Sequence, residues 1–247
     1  MSDRKVYTDY FFDEPAFNTH DGGYVPLKEP TTPQETLRIP KLLKPDKETD
    51  TDMYYTVIAQ TGETQLLPGA KTKTWGYNTS LLGQTIVFKN GKTTQIEFKC
   101  HQPAATLWLH AHPCPATAEH VWKGLADGVI VKDDVESKLP FPRNYGVDDI
   151  PLILQDRAFH DNQFDYIADY DPDGVQGPTP MINGTINPYF DVTTQRLRLR
   201  ILDGANRREW RLHFSDDLKF TQIASDGGIL PEPVDFTHLM ITCAERA

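Results

Sequence analysis

From about residue 51 onward, the chain consists of short runs of alternating apolar and polar residues, separated by turn residues. Examples are MYYTVIAQ at 53–60, TIVFKNGKTTQIEFKC at 85–100 with an Asn-Gly turn at 90 and 91, and TLWLHAH at 106–112. Alternation predicts strands with one buried face, and an Asn-Gly pair between two runs predicts a hairpin. One stretch, ATAEHVWKGLA at 116–126, instead predicts a short helix that ends near Gly124 or Gly128. Together these elements predict an all-β sandwich or barrel fold.

Composition divides the chain into three segments. Residues 1–50 are rich in Pro, Thr, Asp and Lys and show no sustained period, which predicts an extended N-terminal arm. The second segment, 51–146, ends in a stretch rich in proline and charge that is typical of a linker between domains. The third, 147–247, returns to strand-like runs. Among them RLRLRIL at 196–202 alternates basic and apolar residues, which predicts a strand with one solvent-facing side.

Acidic residues outnumber basic ones by 35 to 25 among the 247 residues, so the formal net charge is −10 at pH 7. Such a charge repels phosphate backbones and anionic lipid headgroups, and it disfavours nucleic-acid and membrane-surface roles. The N-terminus lacks the apolar stretch of a signal peptide, and no long apolar run occurs elsewhere. These features predict a cytoplasmic location.

The three cysteines, Cys100, Cys114 and Cys243, show no Cys-x-x-Cys spacing. They therefore indicate neither a disulfide framework nor a thiolate zinc site. Small buried thiols are the expected state. Cys100 and Cys114 flank the same predicted strand, so the sequence leaves a pairing between them, and their redox state, open.

The clearest chemical signal is the pair His110 and His112, one residue apart at the end of an apolar run. Residues i and i+2 of a strand point to the same face, roughly 6.5 to 7 Å apart. The two rings can therefore converge on one ion, or each can take one of two adjacent ions. Neutral imidazole suits Cu, Zn, Fe or Ni, and two ligands seldom close a site. The alternative is that both histidines are simply tolerated on a half-exposed strand face.

The segment QPAATLWLHAH at 102–112 resembles the second of four copper-binding motifs in the multicopper oxidases, the family of laccases, bilirubin oxidases and spore-coat laccases. Segments at 72–93, 145–159 and 196–206 resemble the same family in the same order. The resemblance implies an all-β fold of tandem cupredoxin-like Greek-key barrels, with copper as cofactor and His110 and His112 as ligands of the paired type 3 coppers. It also implies oxidation of phenolic or similar electron donors, coupled to the reduction of dioxygen to water.

The chain departs from the family pattern at the other copper motifs. The first, His-Trp-His-Gly, is absent, and Thr94 leads almost at once into the segment at 102–112, which indicates an internal deletion that shortens the first barrel. The third and fourth motifs are also absent, and the second barrel is expected to lack its C-terminal strands. The chain therefore resembles a truncated family member. Cys243 has no flanking histidines and is not expected to be a type 1 copper ligand.

Two functional hypotheses follow from these departures. In the first, the chain is a multicopper-oxidase-type copper-binding protein that does not support turnover alone. In the second, it is a noncatalytic cupredoxin-like scaffold or partner-binding module with a vestigial copper site. Barrels that lack strands expose edges, so self-association is also expected. A structural or solvent-facing role is expected for five further histidines, His101, His120, His160, His213 and His238.

Overall fold

The computed structural model describes residues 6–8, 25–89, 93–94, 98–99, 102–166 and 174–247. Regular structure within these residues is almost entirely β-strand, which confirms the prediction of an all-β fold. The Asn-Gly turn at 90 and 91, Cys100 and His101 lie outside the described residues. No helix in the described ranges is long and apolar enough to cross a membrane.

The described strands are short and follow one another closely along the chain. Those up to residue 132 are β1 (Val6–Thr8), β2 (Glu35–Thr36), β3 (Lys47–Glu48), β4 (Asp52–Tyr54), β5 (Ala59–Thr64), β6 (Thr72–Tyr77), β7 (Ile86–Lys89), β8 (Thr93–Thr94), β9 (Phe98–Lys99), β10 (Ala105–His110) and β11 (Ala126–Lys132). Those beyond it are β12 (Asp149–Arg157), β13 (Phe159–His160), β14 (Gln163–Phe164), β15 (Thr179–Ile182), β16 (Thr185–Ile186), β17 (Pro188–Tyr189), β18 (Arg198–Asp203), β19 (Trp210–Phe214), β20 (Phe220–Ser225), β21 (Gly228–Phe236) and β22 (His238–Ile241). The helix α1 (Thr117–Lys123) and a 3-10 turn at Glu136–Lys138 interrupt them.

The first sheet, which carries His110, has the strand order β10-β11-β7. Strand β10 pairs antiparallel with β11, and β11 pairs parallel with β7. Leu107 and Leu109 of β10 lie partly buried against a small apolar cluster, formed by Ile86, Phe88, Val129 and Val131. His110 pairs with Ala126 at the last position of this ladder. The sheet therefore delivers His110 to the point where β10 ends.

Strand β12 is buried along its whole length. It lies in the second sheet, of order β16-β15-β12-β18, and all nine of its residues are buried. Ile150, Leu152 and Leu154 share one face and pack with Trp210 and Ile241, among others. On the opposite face Ile153 packs with Leu82, Ala126 and Leu202. A strand covered on both faces in this way has a nearly continuous apolar sequence, as IPLIL at 150–154 has.

The described part of the N-terminal segment runs in an extended form over this second sheet. Lys28 donates its backbone N–H to the carbonyl of Pro178 at 2.8 Å, and Leu37 donates to that of Tyr189 at 2.7 Å. Strand β2 pairs parallel with β17. Leu37 itself is buried in the cluster around Ile150. The segment is therefore held by both backbone hydrogen bonds and an apolar side chain.

The predicted helix is confirmed as α1. Gly124 ends it with φ at +119°, a left-handed conformation that disfavours any side chain. Trp122 is completely buried on the inner side of the helix. The guanidinium of Arg157 lies 4.9 Å from the centre of its ring. This helix therefore packs its tryptophan against the end of β12.

The run at 53–60 was predicted as one strand, and this prediction is wrong because two strands, β4 and β5, share it. Tyr55 and Val57, which lie between them, pack partly buried against the cluster around Ile86 and Phe88. The hydroxyl of Tyr55 donates to the carbonyl of Val87 at 2.9 Å. Because Tyr55 and Val57 pack inward, the run forms two separate strands, which pair with different partners.

The prediction of a solvent-facing side for the strand at 196–202 is also wrong. Strand β18 forms there, but Arg198 and Arg200 are only 7% and 5% exposed. Arg200 donates to both carboxylate oxygens of Asp149, at 2.7 and 3.0 Å, and Arg198 donates to Glu136 at 2.6 Å. Arg200 also reaches the hydroxyl of Thr106 on β10, at 3.2 Å. The basic side of the strand is therefore covered by the first sheet, and buried carboxylates neutralise its charges.

Replacing Asp149 by Ala is expected to lower the free energy of unfolding by about 3 to 5 kcal/mol, because the charge of Arg200 is then buried without its partner. Glu48→Ala removes the exposed ion pair with Lys89 (2.8 Å) and serves as the matched control. That control is expected to cost less than about 1 kcal/mol. Urea denaturation of both variants measures the difference in the free energy of unfolding. Equal losses in the two variants would contradict a larger contribution from the buried ion pair.

Asp203 is a completely buried acid at the end of β18. One carboxylate oxygen, Oδ1, accepts from the backbone N–H of Ala205 at 2.9 Å and from the indole N–H of Trp210 at 3.1 Å. The other, Oδ2, has no hydrogen-bond partner among the described residues. Burial, which outweighs these two hydrogen bonds, raises the pKa of Asp203 to about 8. The carboxyl is therefore mostly protonated in the folded protein at neutral pH.

The raised pKa predicts a stability that falls with increasing pH. The unfolded carboxyl titrates near 3.9 and the folded one at about 8, so the folded state holds an extra proton between these values. The stabilisation is present below about pH 4 and is lost as the pH rises through 8. Asp203→Asn, which keeps the acceptor oxygen, is expected to flatten this fall by up to about 1.4 kcal/mol per pH unit. Urea denaturation at pH 5 and 8 is the measurement, with the exposed Asp134→Asn as control, and an unchanged slope would refute it.

Candidate metal centre

The structure brings the two predicted ligands together. His110 is the last residue of β10, and His112 lies just beyond the end of the strand. The centres of their rings are 5.3 Å apart, and the ring planes are inclined at 46°. His110 is partly buried, whereas His112 is exposed. The two imidazoles thus share a side of the chain, although only the first belongs to the strand.

Two contacts orient the ring of His110. Its Nδ1 lies 2.9 Å from the carbonyl oxygen of Ala111. Because a carbonyl only accepts hydrogen bonds, Nδ1 carries the proton and Nε2 keeps its lone pair for a metal. The indole of Trp108 stacks on the ring of His110, with ring centres 4.1 Å apart and planes at 23°. A hydrogen bond of this kind to the non-ligating nitrogen is the usual support of a metal-binding histidine.

The electrostatics favour the form of His110 that binds metals. Burial is the largest cause that lowers the pKa of His110, and the neighbouring His112 lowers it further. The hydrogen bond to Ala111 acts in the opposite direction but does not reverse the shift. The ring is therefore neutral at neutral pH, which is the state that a metal ion requires.

An open cleft of about 400 Å³ lies beside the two rings. Its walls are the end of β10, the start of α1 and the loop that joins β18 to β19. Asn206 of this loop donates its side-chain amide to the carbonyl of Ala118 at 3.0 Å, which fastens the loop to the helix. The lining residues are Trp108, His110, His112, Cys114, Pro115, Thr117, Ala118, Val121, Ala205 and Asn206. The pair therefore lies where the first and second halves of the chain meet.

The donor set fits copper as part of a site. Two neutral imidazoles beside an open cleft are suitable ligands for Cu, and Nε2 of His110 is already the unprotonated nitrogen. Neither histidine belongs to a group of three potential ligands in the described part of the chain. The two rings therefore fit a metal centre whose other ligands come from elsewhere.

The two described cysteines differ in their exposure. Cys114 is exposed at the rim of the cleft as a free thiol. Cys243 donates its thiol to the carbonyl of Arg208 at 3.5 Å. Burial raises the pKa of Cys243, so its thiol stays protonated. That Cys243 is not a type 1 copper ligand stays a prediction from the sequence.

The other histidines fall into two groups. His120 packs against Trp75 with ring centres 5.1 Å apart, and the side chain of His160 is 79% exposed, so these two have the roles expected of them. His213 and His238, in contrast, lie against each other with Asp217 beside them. The sequence indicates only a structural or solvent-facing role for each of them. The strand register that pairs them is not visible in the sequence.

Comparison with known proteins gives a consistent result, although no family model matches the chain. The chain is 34% identical to the multicopper oxidase mco of Staphylococcus aureus, over 85% of this chain and 55% of that protein. It is 30% identical to the cell division protein FtsP of Escherichia coli, over 91% of this chain and 55% of that protein. In structure it is similar to a laccase from Pediococcus acidilactici, with a TM-score of 0.90 and 48% identity over 97% of this chain and 61% of the laccase.

These likenesses confirm the resemblance found in the segment at 102–112 and its neighbours. The chain spans about half the length of the curated relatives it matches. Its nearly all-strand architecture is that of the cupredoxin-like barrels of these proteins, and the family's cofactor is copper. By sequence and by fold, the chain belongs to the multicopper oxidase family.

Proposed function

We propose that this chain is a copper-binding protein of the multicopper oxidase type, with His110 and His112 as ligands of its type 3 site. The observation that carries the proposal is the geometry of the pair. The two ring centres are 5.3 Å apart. Nδ1 of His110 donates a hydrogen bond to the carbonyl of Ala111, so that Nε2 is available at the open cleft. The match of 102–112 to the family's second copper motif supports the assignment of both residues.

Copper, when bound, would supply the redox chemistry by which this family oxidises phenolic or similar donors and reduces dioxygen. His110 and His112 bind the ion in this proposal. Trp108 orients the ring of His110 by stacking at 4.1 Å, and burial keeps that ring neutral. Both rings line a cleft that is open to solvent.

Two imidazoles alone do not close a copper site, and the described residues offer no third ligand beside them. The remaining ligands would have to come from polypeptide other than the described residues. We therefore expect this chain to bind copper without turning over a phenolic donor by itself.

A titration with Cu(II) under air tests both statements. Replacing His110 and His112 together by Ala in the full chain is expected to remove one equivalent of bound copper, or to weaken the binding of that equivalent at least about tenfold. His160→Ala removes an exposed histidine and serves as the matched control, with no expected change. Calorimetry measures binding, and absorbance of a phenolic dye measures oxidation.

Each half of this proposal has its own contrary result. Copper binding that is indifferent to the double substitution would refute the ligand assignment. Dye oxidation by the purified chain would refute the incompleteness of the site. The two readouts are independent, since a protein can bind copper without oxidising the dye.

A second candidate function is a noncatalytic scaffold that binds a partner protein. It is favoured by the similarity to FtsP, whose name describes a cell division protein and which matches over 91% of this chain. Such a protein would need the barrels but not the metal. Failure of the chain to bind copper, combined with an intact fold by circular dichroism, would favour this candidate.

We also propose that the chain forms two cupredoxin-like domains, 51–146 and 147–247, preceded by the arm at 1–50. Separate apolar clusters support this division, one around Ile86 and Phe88 and one around Ile150 and Trp210. Smaller clusters join the two, as where Leu82 packs with Ile153. The cytoplasmic location stays a prediction from the sequence.

Self-association is a further proposal, with a second copy of the chain as the partner. Among the described residues, the apolar cluster under β10, β11 and β7 has four buried members, and Leu107 and Leu109 beside it are partly exposed. Near the same sheet Ile58 is 54% exposed and Leu42 is 41% exposed. A thin core with exposed apolar neighbours favours burial against another molecule.

Size-exclusion chromatography with light scattering tests this proposal. At tens of micromolar the chain is expected to elute above the 28.0 kDa of a monomer. Replacing Leu42 and Ile58 by Lys is expected to shift it toward the monomer, because a charged side chain opposes burial. Val192→Lys, at a residue that is 55% exposed in the second half, is the control. A monomer at all concentrations, or an equal shift in the control, would contradict the proposal.

A further inference from the structure

Two histidines far apart in the sequence face each other across a sheet. Strands β19 and β22 pair antiparallel, and His213 lies directly opposite His238 in their register. The ring centres are 4.9 Å apart and the planes are inclined at 23°. Both side chains lie on the outer face of the sheet, since Trp210 and Ile241, with Leu212, fill the inner face.

An acidic side chain completes the group. Asp217 lies in the turn after β19, and its backbone N–H donates to the carbonyl of Phe214 at 3.0 Å. Its Oδ1 is 3.8 Å from Nε2 of His238 and 4.0 Å from Nδ1 of His213. One potential ligand atom from each of the three residues lies within 4.8 Å of the other two.

The two rings are held in place by their surroundings. Nδ1 of His213 lies 3.1 Å from the carbonyl of Phe214, and Nδ1 of His238 lies 3.1 Å from the hydroxyl of Thr237. The side chain of His213 is 16% exposed and that of His238 is 33% exposed. Asp217, in contrast, is 72% exposed. The histidines therefore form a fixed pair, and the carboxylate is the part that can move.

We propose that His213, Asp217 and His238 form a metal site for a divalent first-row transition ion, separate from the His110 and His112 pair. Ligand atoms on one such ion lie 2.0 to 2.2 Å from it and so at most about 4.4 Å from each other. The distance from Oδ1 of Asp217 to Nε2 of His238, 3.8 Å, already meets this limit. One ligand atom from each of the three residues lies within 4.8 Å of the other two, so only a small movement of the side chains is needed to bring all separations within this limit.

The donor set indicates the class of ion. Two imidazoles and one carboxylate suit Zn²⁺, Cu²⁺, Ni²⁺ or Fe²⁺ and do not suit Ca²⁺ or Mg²⁺, which prefer oxygen ligands. Three protein ligands on an outer face leave a further position open to solvent. Zn²⁺ is the best probe, because it is not redox-active and its binding is independent of dioxygen.

Calorimetric titration of the full chain with Zn²⁺ tests the proposal, in the background of His110→Ala and His112→Ala. One equivalent of Zn²⁺ is expected to bind. His238→Gln is expected to abolish this binding, and Asp217→Asn is expected to weaken it at least about tenfold. Asn tolerates the positive φ of 52° at position 217, so the turn is kept. His160→Gln, from an exposed histidine beside Asp161 without a second histidine, is the matched control and should bind as before.

A chemical footprint locates the ion without any substitution. Modification of histidines by diethyl pyrocarbonate, followed by mass spectrometry, is expected to slow at His213 and His238 when Zn²⁺ is added, and not at His160. Absence of binding in the double-alanine background, or zinc protection that spares His213 and His238, would overturn the proposal. Neither result depends on copper binding by His110 and His112, so the two proposals fail separately.

Discussion

The buried ion pair between Arg200 and Asp149 is the constraint on which the arrangement of the two sheets depends. Both residues lie in the second sheet, on the paired strands β18 and β12. The same guanidinium reaches Thr106 on β10, at 3.2 Å, in the sheet that carries the histidine pair. Arg246 adds a second link, since its side chain donates to the carbonyl of Thr106 at 3.2 Å. The position of β10, and with it that of His110 four residues later, is thus fixed by basic residues of the other sheet.

Burying charge in this way couples the fold to the candidate copper ligands. Glu136 and Asp149 neutralise the buried guanidinium groups of Arg198 and Arg200. Removing one of these carboxylates would leave an uncompensated buried charge. Because β10 lies against these residues, its end stays close to the loop that contains Ala205 and Asn206. That loop and α1 form the remaining walls of the cleft. A polar contact between the sheets at Thr106 therefore positions His110 at the cleft, about 13 Å further along the strand at about 3.3 Å per residue.

The two groups of histidines illustrate different ways to build a metal site. His110 and His112 are neighbours in the chain, so a strand end suffices to bring their rings together, but the chain offers them no third ligand in the described ranges. His213 and His238 come from separate strands and acquire Asp217 from the turn beside them. The first pair matches the motif of the family, and the second group rests on geometry alone.

The sequence by itself determined the all-β class, the short helix that ends at Gly124, the family and the proximity of His110 to His112. These features depend on residues close in the chain, whose periodicity and spacing fix local structure. It did not determine that the alternating run at 196–202 is buried on its basic side, because alternation shows that two faces differ and does not show what covers each face. Nor did it reveal the group of His213, Asp217 and His238. Only the register of β19 against β22 brings residues 213 and 238 together, and register is decided by the packing of Trp210, Leu212 and Ile241 into the core.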